Sequence, residues 1–345
     1  GTAADPFIID SIVDLQAINK NSTTRSKHYA LEADIDAEAT KTWDGGKGFV
    51  PLTTFTGNLD GAGNAVVDLH IDRSGRDQVG LFGRVGSGGG ITGLHLENAD
   101  VEGRNDVGAL VGDNQGTIAG SSATGNVTGQ NRVGGLIGNM GEKTVSNSYA
   151  DVSVDGNEWV GGFVGEMTTG GAKITGSFAR GDVSGTDTVG GFVGQAGEFV
   201  TLSSLLFGSG GTTIIRRPGD PGWSGCTFGD GSRANDKIHD ANIGTGDRVY
   251  ISNSYASGNI TGRTVGGFAG VAGEAAISNS FATGVPESRL FGRGAVGNAR
   301  RGGDNDPCPK HTIWRGAPRT QSTNNYASAD QVTGESAAKT GFDFQ

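Results

Sequence analysis

The residues best suited to bind a ligand lie in two segments whose composition differs from the rest of the chain. The first reads TTIIRRPGDPGWSGCTFGDGSRANDK (212–237), and the second reads GRGAVGNARRGGDNDPCPKHTIWRGAPRTQ (292–321). Guanidinium groups pair with carboxylates or sulfates, and indole rings stack on sugars or pack at the centres of interfaces. The candidates for binding an acidic glycan or a partner chain are therefore Arg216, Arg217, Trp223, Arg300, Arg301 and Trp314.

A purely structural role would explain the same residues, with the tryptophans packing the two segments onto the fold and the arginines in solvent.

The segments also contain the two cysteines, Cys226 and Cys308. Two single cysteines without C-x-x-C spacing make a poor zinc site. No metal ligand is therefore predicted.

Catalytic signatures are sparse in this sequence. The glycine-rich stretch GRVGSGGG (Gly83–Gly90) is not followed by G-K-[ST], so it does not predict a nucleotide site. The histidines are scattered, without an H-x-x-x-H pattern or a nucleophile elbow. Acids in neighbouring repeats, such as Asp151 and Asp182, could serve a polysaccharide-cleaving enzyme, but the N-T-D and G-H-G motifs of pectin-degrading β-helices are absent. We predict no catalytic residue and no cofactor, and no motif indicates structural calcium.

A repeat positions the two unusual segments. Its anchor, loosely V-G-[GAL]-[LF]-x-G, recurs with spacings of 28, 26, 27, 29 and 76 residues at Val79, Val107, Val133, Val160, Val189 and Val265. A second block, I-x-N-S-[YF]-A-x-G-x-[VI]-x-G, lies between anchors, most clearly at 145–156, 174–185, 251–262 and, shortened, at 277–284. A short unit of this kind cannot bury its apolar residues alone, so successive copies must stack.

These repeats predict an all-β fold, a right-handed parallel β-helix. Each unit contains short strands separated by glycines, and stacking in register satisfies the backbone groups of every strand. A propeller is less compatible, since its blades are usually about 40–50 residues long. Ile12, Leu15 and Ile18 recur at helical spacing after Asp10 or Ser11 and predict a short helix that covers the N-terminal end.

The chain is predicted to be one domain with two non-repetitive insertions. Residues 1–75 form the cap and first coils, residues 76–198 and 249–288 form the repeats, and residues 199–248 form the first insertion. Residues 289–345 form an irregular loop and an exit strand. All of these regions share one β-helix core.

Charge and hydropathy exclude several classes of partner. A net charge of −10 and a pI near 5.0 argue against a nucleic-acid backbone. No stretch of 18 consecutive apolar residues is present, so we expect no direct membrane insertion. N-x-[ST] sequons at Asn21, Asn126 and Asn259 are possible N-glycosylation sites.

The alternation of VGGLIG and VGGFVG with ISNSYASGNITG resembles the GLUG repeat of bacterial and archaeal surface proteins. The leading KTWDGGKGFVPLTTFTGNLDGAGNAVVDLHI and the closing NNYASADQVTG resemble the flanks of such repeats. The resemblance implies a secreted or surface-displayed parallel β-helix, akin to adhesin passenger regions and the non-catalytic part of immunoglobulin A peptidases. It transfers no catalytic residue, because that family has none in common.

Three further expectations concern processing, disulfide bonding and function. The chain begins at Gly1 without a methionine and is expected to be a processed product or a fragment, with a signal peptide removed. In an extracellular setting a Cys226–Cys308 disulfide is favoured over two free thiols, and closing its 83-residue loop would stabilise the fold by roughly 4 kcal/mol. The predicted function is a non-enzymatic structural or adhesive rod that presents loops to a cell-surface glycan, a protein or copies of itself, with self-assembly into filaments or surface layers as one form. A β-helix polysaccharide lyase or glycoside hydrolase and a spacer module of a larger peptidase or adhesin are the alternatives.

Overall fold

The fold is a parallel β-solenoid, as the repeats predict. The computed structural model describes residues 1–167, 170–197, 249–272, 275–278 and 280–283, together with the backbone of short strands at 215–216, 237–238, 286–291, 296–299, 321–323 and 326–327. Its strands are numbered in chain order, and three long parallel sheets run along the solenoid. From β4 to β32, each coil contributes strands to all three sheets in turn.

Sheet 1 has ten strands: β1 (Phe7–Ile9), β2 (His28–Leu31), β4 (Asn58–Asp60), β8 (Gly90–Thr92), β12 (Thr117–Ala119), β16 (Thr144–Ser146), β19 (Lys173–Thr175), β25 (Val249–Ser252), β29 (Ala275–Ser278) and β33 (Gln321–Thr323). Sheet 3 has seven: β7 (Phe82–Val85), β11 (Val111–Asn114), β15 (Ile137–Met140), β18 (Val164–Met167), β22 (Val193–Ala196), β28 (Ala269–Ala272) and β32 (Val296–Ala299).

Sheet 2 has fifteen strands, because most of its coils contribute one strand before a bend and a second strand after it. These strands are β3 (Ile35–Asp36), β5 (Ala65–Val67), β6 (His70–Asp72), β9 (His95–Glu102), β10 (Asn105–Gly108), β13 (Ser122–Thr128), β14 (Asn131–Gly134), β17 (Tyr149–Gly161), β20 (Phe178–Arg180), β21 (Val183–Gly190), β26 (Tyr255–Ala256), β27 (Ile260–Gly266), β30 (Phe281–Ala282), β31 (Pro286–Phe291) and β34 (Tyr326–Ala327). A separate antiparallel pair joins β23 (Ile215–Arg216) to β24 (Lys237–Ile238).

The anchor valines stack in register. Val107, Val133, Val160, Val189 and Val265 are successive Cα partners in sheet 2, and Val79 bridges to Val107. All of these side chains are buried. The sequence repeat is therefore one coil of the solenoid.

Aromatic side chains form two stacks along the axis. Phe163, Phe192 and Phe268 lie inside the core, with ring centroids 4.9 and 4.8 Å apart. Tyr149, Phe178 and Tyr255 form a half-buried outer stack at 4.8 and 4.9 Å, and the Arg180 guanidinium lies over the Phe178 ring. These spacings equal the distance between paired strands, so the ladder register imposes the stacking.

The corner between sheets 1 and 2 is built from the second repeat block. Asn147 and Asn253 adopt left-handed backbone conformations at the turn (φ 50° and 52°), which asparagine tolerates better than most residues. The following serines form a buried ladder in which the Ser121 and Ser148 N–H groups donate to the Oγ of Ser148 and Ser177. The left-handed residue, which is Asn147 or Asn253 in two coils and Gly120 or Gly176 in two others, makes the turn, and the serine after it satisfies the buried backbone.

The predicted N-terminal helix is present as α1 (Ile12–Ala17), with Ser11 as its N-cap. Ile12, Leu15 and Ile18 are buried at the end of the core, so the helix covers that end. Three 3-10 helices follow, at Ile18–Lys20, Thr24–Ser26 and Glu38–Gly46. In the residues that the structure describes, no helix is long and apolar enough to span a membrane.

Candidate functional site

Polar side chains form a charged seam along the anchors, built from two parallel rows. The first row is the residue immediately before each of the first five anchor valines: Gln78, Asp106, Arg132, Trp159 and Thr188. The second row lies on sheet 3, where ladder pairing aligns Arg84, Asp113, Asn139, Glu166 and Gln195. Both rows fall where the otherwise repeated anchor sequences differ from coil to coil.

Glycines bring the two rows together. A Cβ placed on Gly165 would lie 2.5 Å from the carbonyl carbon of Arg132, and one on Gly194 would lie 2.5 Å from that of Trp159. A side chain at either glycine would push the two strands apart. The close approach places each second-row residue beside the first-row residue of the preceding coil, so Glu166 adjoins Arg132.

Arg132 is the centre of the seam. It donates to Asp106 through both Nε and Nη2 (Nη2–Oδ2 3.2 Å), and its Nε lies 3.6 Å from Glu166 Oε2. Its guanidinium carbon lies 6.0 Å from the Trp159 ring centroid. The guanidinium therefore contacts residues of three coils, and 29% of the Arg132 side chain remains exposed.

A second cluster surrounds Asp113, which is 5% exposed. Its carboxylate accepts from Gln115 Nε2 (2.9 Å) and Gln78 Nε2 (3.3 Å), and Arg84 Nε lies 3.4 Å away. Amide and guanidinium donors thus satisfy a nearly buried charge, as burial requires.

The surroundings of Glu166 and of Arg132 shift the pKa values of both side chains. Burial raises the pKa of Glu166; the Arg132 charge opposes this shift, and the charges of Asp106 and Glu158 add to it. The hydrogen bond to Asp106 raises the pKa of Arg132. Glu166 thus holds a proton more readily than an exposed glutamate does.

The first row also has an unusual backbone. All five of its residues have positive φ, between 54° and 57°. Bulky and β-branched side chains rarely adopt this conformation, which costs roughly 1–2 kcal/mol per residue. Since glycine would avoid this cost, the side chains of Arg132, Trp159 and Thr188 are retained against a conformational penalty.

The sequence-predicted binding residues are not part of this seam. Arg217, Trp223, Arg300, Arg301, Trp314, Cys226 and Cys308 lie outside the described residues, and Arg216 is described only as backbone in β23. The acid pair considered for catalysis is not aligned, because Asp151 pairs in register with Arg180 and the Asp182 carboxylate accepts from the Asn259 N–H (2.9 Å).

Sequence reasoning missed the seam because it concentrated on the interruptions of the repeat. The available signal was the change of residue type at the two variable positions flanking VGGLIG and VGGFVG. Among the residues described by the structure, no group of three or more His, Cys, Asp or Glu side chains is arranged to hold a metal ion.

The protein belongs to the structural class of long parallel β-helices, and two solved structures have the same fold. A crystal structure from Bacteroides ovatus, described as a candidate immunoglobulin A1 protease, aligns over 94% of this chain and 86% of its own (TM-score 0.59, 18% identity). A structure described as IgA1 protease aligns over 95% of this chain and 22% of its own (TM-score 0.58, 18% identity). At this identity the likeness concerns the fold alone.

Two sequence relatives match part of the chain. Halomucin of Haloquadratum walsbyi is 51% identical over 144 residues, which is 40% of this chain and 2% of halomucin. A candidate Gly-rich membrane protein of Evansella cellulosilytica is 33% identical over 125 residues, which is 34% of this chain and 14% of that protein. The chain therefore matches only a small part of each relative. No protein-family model matches the sequence.

Proposed function

We propose that this chain is a non-enzymatic β-helix module of a secreted or cell-surface protein, with a structural or adhesive role. The proposal draws on the continuous in-register core, on the names of the partly matching halomucin and Gly-rich membrane protein, and on the GLUG resemblance of the repeats. Antibody labelling of intact cells of the source organism should detect the chain without permeabilisation. Labelling that needs permeabilisation would contradict the surface assignment.

The charged seam is the proposed contact surface for a glycan, a protein or another copy of the chain. The observation that carries this assignment is the left-handed backbone of its first row, where side chains are kept at a conformational cost. Trp159 is half-buried and offers an indole beside a guanidinium, a combination favoured at binding sites.

Attachment of the purified chain to intact cells and to immobilised copies of itself tests this surface. Trp159→Ala should weaken attachment at least several-fold, whereas Asn157→Ala, at a nearby exposed position, should leave it unchanged. Equal attachment by folded Trp159→Ala and wild-type protein would exclude the seam as the contact surface.

The two insertions remain proposed as a second contact surface. Their paired arginines and tryptophans suit an acidic glycan or a partner chain. The double variant Trp223→Ala with Trp314→Ala should reduce attachment if these side chains contact the partner. Unchanged attachment would assign them to packing.

A polysaccharide lyase or glycoside hydrolase is the second candidate function. The observation that favours it is that two carboxyl groups, Glu166 and Asp106, lie beside the same guanidinium of Arg132 and that burial raises the pKa of Glu166, since glycosidases use a pair of carboxyl groups. Incubation with neutral and acidic polysaccharides should release no new chain ends. Release that Glu166→Gln abolishes would replace the non-enzymatic proposal.

A third possibility is that the chain is a spacer module of a larger peptidase or adhesin. The short share of halomucin that it matches is compatible with this arrangement. Under this proposal the chain alone would attach to nothing, and the longer protein would attach through another region.

A further inference from the structure

Two of the three sequons occur in one recurring motif. GNVTG spans residues 125–129 and GNITG spans residues 258–262. In both motifs the glycine before the asparagine has a φ of 121°, and a Cβ on Gly125 or Gly258 would lie within 2.1 Å of a carbonyl oxygen in the preceding coil. Both sites therefore share the pattern G-N-[VI]-T-G and the same φ at its first glycine.

The two asparagines occupy the same position of the coil. Asn126 is opposite Ser153, and the residues that follow them stack as Val127, Val154, Val183 and Ile260. Asp182 and Asn259 immediately precede Val183 and Ile260. They therefore continue the row of Asn126 and Ser153 along the outer face of sheet 2. Asn126 and Asn259 are thus three coils apart, or about 14 Å at the usual strand spacing.

The side chains required for N-glycosylation face solvent at both sites. Asn126 and Thr128 are exposed on either side of the buried Val127, and Asn259 and Thr261 flank Ile260 in the same way. Because strand residues two apart share a face, the amide and the hydroxyl of each sequon lie on the same side. A glycan on this face disrupts no core contact.

We propose that Asn126 and Asn259 are N-glycosylation sites whose glycans project from one row of the solenoid. Each Asn Nδ2 forms a bond to the anomeric carbon of a lipid-phosphate-linked oligosaccharide and loses one proton. The bond from that carbon to the phosphate oxygen breaks, and the lipid phosphate leaves. The reaction needs no oxidant or reductant, and an oligosaccharyltransferase of the producing cell catalyses it.

The spacing and the intervening residues fit two bulky modifications. Neighbouring coils are only about 4.8 Å apart, so sequons on consecutive coils would crowd their glycans. The two coils between the sites contain Ser153-Val154-Asp155 and Asp182-Val183-Ser184, and neither is a sequon. The third sequon lies outside this row, where the Asn21 side chain accepts from the Thr24 N–H (2.9 Å).

Glycans on this row would make this part of sheet 2 unsuitable for close packing against another protein. They would also add hydrophilic bulk to the surface of a secreted rod. This inference is independent of the adhesive role, since modification requires only export past a transferase.

Mass spectrometry of the full chain, secreted from an archaeal host that has an N-oligosaccharyltransferase, tests the proposal. Tryptic peptides 105–132 and 249–263 contain one sequon each and should both carry the host glycan mass. Thr128→Ala and Thr261→Ala should each abolish the modification of one peptide while keeping its asparagine. Unmodified wild-type peptides, in a host that modifies its own glycoproteins, would overturn the proposal.

A gain-of-site pair tests the row itself. In the Thr261→Ala background, where the adjacent coil carries no glycan, Asp182→Asn creates a sequon with Ser184 and preserves an oxygen that can accept from the Asn259 N–H, so peptide 181–216 should gain a glycan. Ser153→Asn creates no sequon, because Asp155 follows at the hydroxyl position, and peptide 144–173 should stay unmodified. A folded Asp182→Asn variant with no added glycan would contradict the accessibility of this row.

Discussion

Left-handed residues in the first row of the seam carry a conformational cost that glycine at the same positions would avoid. The chain contains 64 glycines, many of them at turns and close approaches, yet five consecutive coils place other residues at the same left-handed position. Of these, Arg132 bridges Asp106 and Glu166, and this contact offsets part of its strain. Within this row, we choose Thr188 to measure the free-energy cost of the left-handed backbone, by replacing it with glycine.

Thr188→Gly should increase the free energy of unfolding by roughly 0.5–1 kcal/mol, because relief of left-handed strain exceeds the added flexibility of the unfolded chain. The Thr188 backbone N–H, which donates to Asp187 Oδ1 (2.9 Å), is kept in the variant. Thr186→Gly, in the same strand but outside the positive-φ set, should instead destabilise by roughly 0.5–1 kcal/mol. Urea denaturation measures both changes; equal losses would show that position 188 is unstrained.

Glu166 should make stability depend on pH. Burial raises its folded-state pKa above the usual 4.5, so the folded state binds a proton more readily than the unfolded chain. The free energy of unfolding therefore falls as pH rises from 4.5 through the folded-state pKa. Glu166→Gln should flatten the stability profile in that window, whereas Asn139→Ala, a neighbour in the row that does not titrate, should retain the wild-type slope. An unchanged slope in Glu166→Gln would assign the dependence to other groups.

Each coil contributes to stability through its contacts with the coils on either side. Phe192 stacks on Phe163 and on Phe268, so its removal breaks two inter-coil contacts at once. Phe192→Ala should lower the free energy of unfolding by about 3–5 kcal/mol, and Phe192→Leu by clearly less, because leucine refills most of the cavity. Chemical denaturation followed by circular dichroism measures both losses. Similar losses for the two variants would attribute the effect to ring stacking and not to volume.

The sequence predicted elements well where each coil repeats the same physical requirement. The valine anchors, the N-S turn and the N-terminal helix were predictable, because burial, turn geometry and capping each favour particular residues. The seam was not, since Glu166 and Arg132 are 34 positions apart and are adjacent only through a glycine contact between sheets. The repeats predict only short strands, whereas β17 (Tyr149–Gly161) continues past the bend, and alternating hydrophobicity does not delimit a strand of this length.

At the scale of the whole molecule, the solenoid core continues across the first insertion. Lys173 and Ile174 of β19 pair in register with Tyr250 and Ile251 of β25, and Val189 of β21 pairs with Val265 of β27. The coil after the insertion therefore stacks directly on the coil before it. We therefore expect ladder hydrogen bonds and core packing to hold these coils in register without the intervening residues.

Replacing residues 198–248 by Thr-Gly-Gly should leave a folded solenoid. The substitute copies the sequence of residues 169–171, which lie between β18 and β19 along the chain, one repeat earlier. Shortening a loop costs little when its ends are already close, so the melting temperature should stay within about 5 °C of wild type. Circular dichroism and thermal denaturation check this outcome.

The same variant lacks Arg216, Arg217 and Trp223, so it also tests cell attachment. If the variant folds but loses cell attachment, the insertion carries the contact. If the variant fails to fold, residues 198–248 belong to the core and the predicted boundary is wrong.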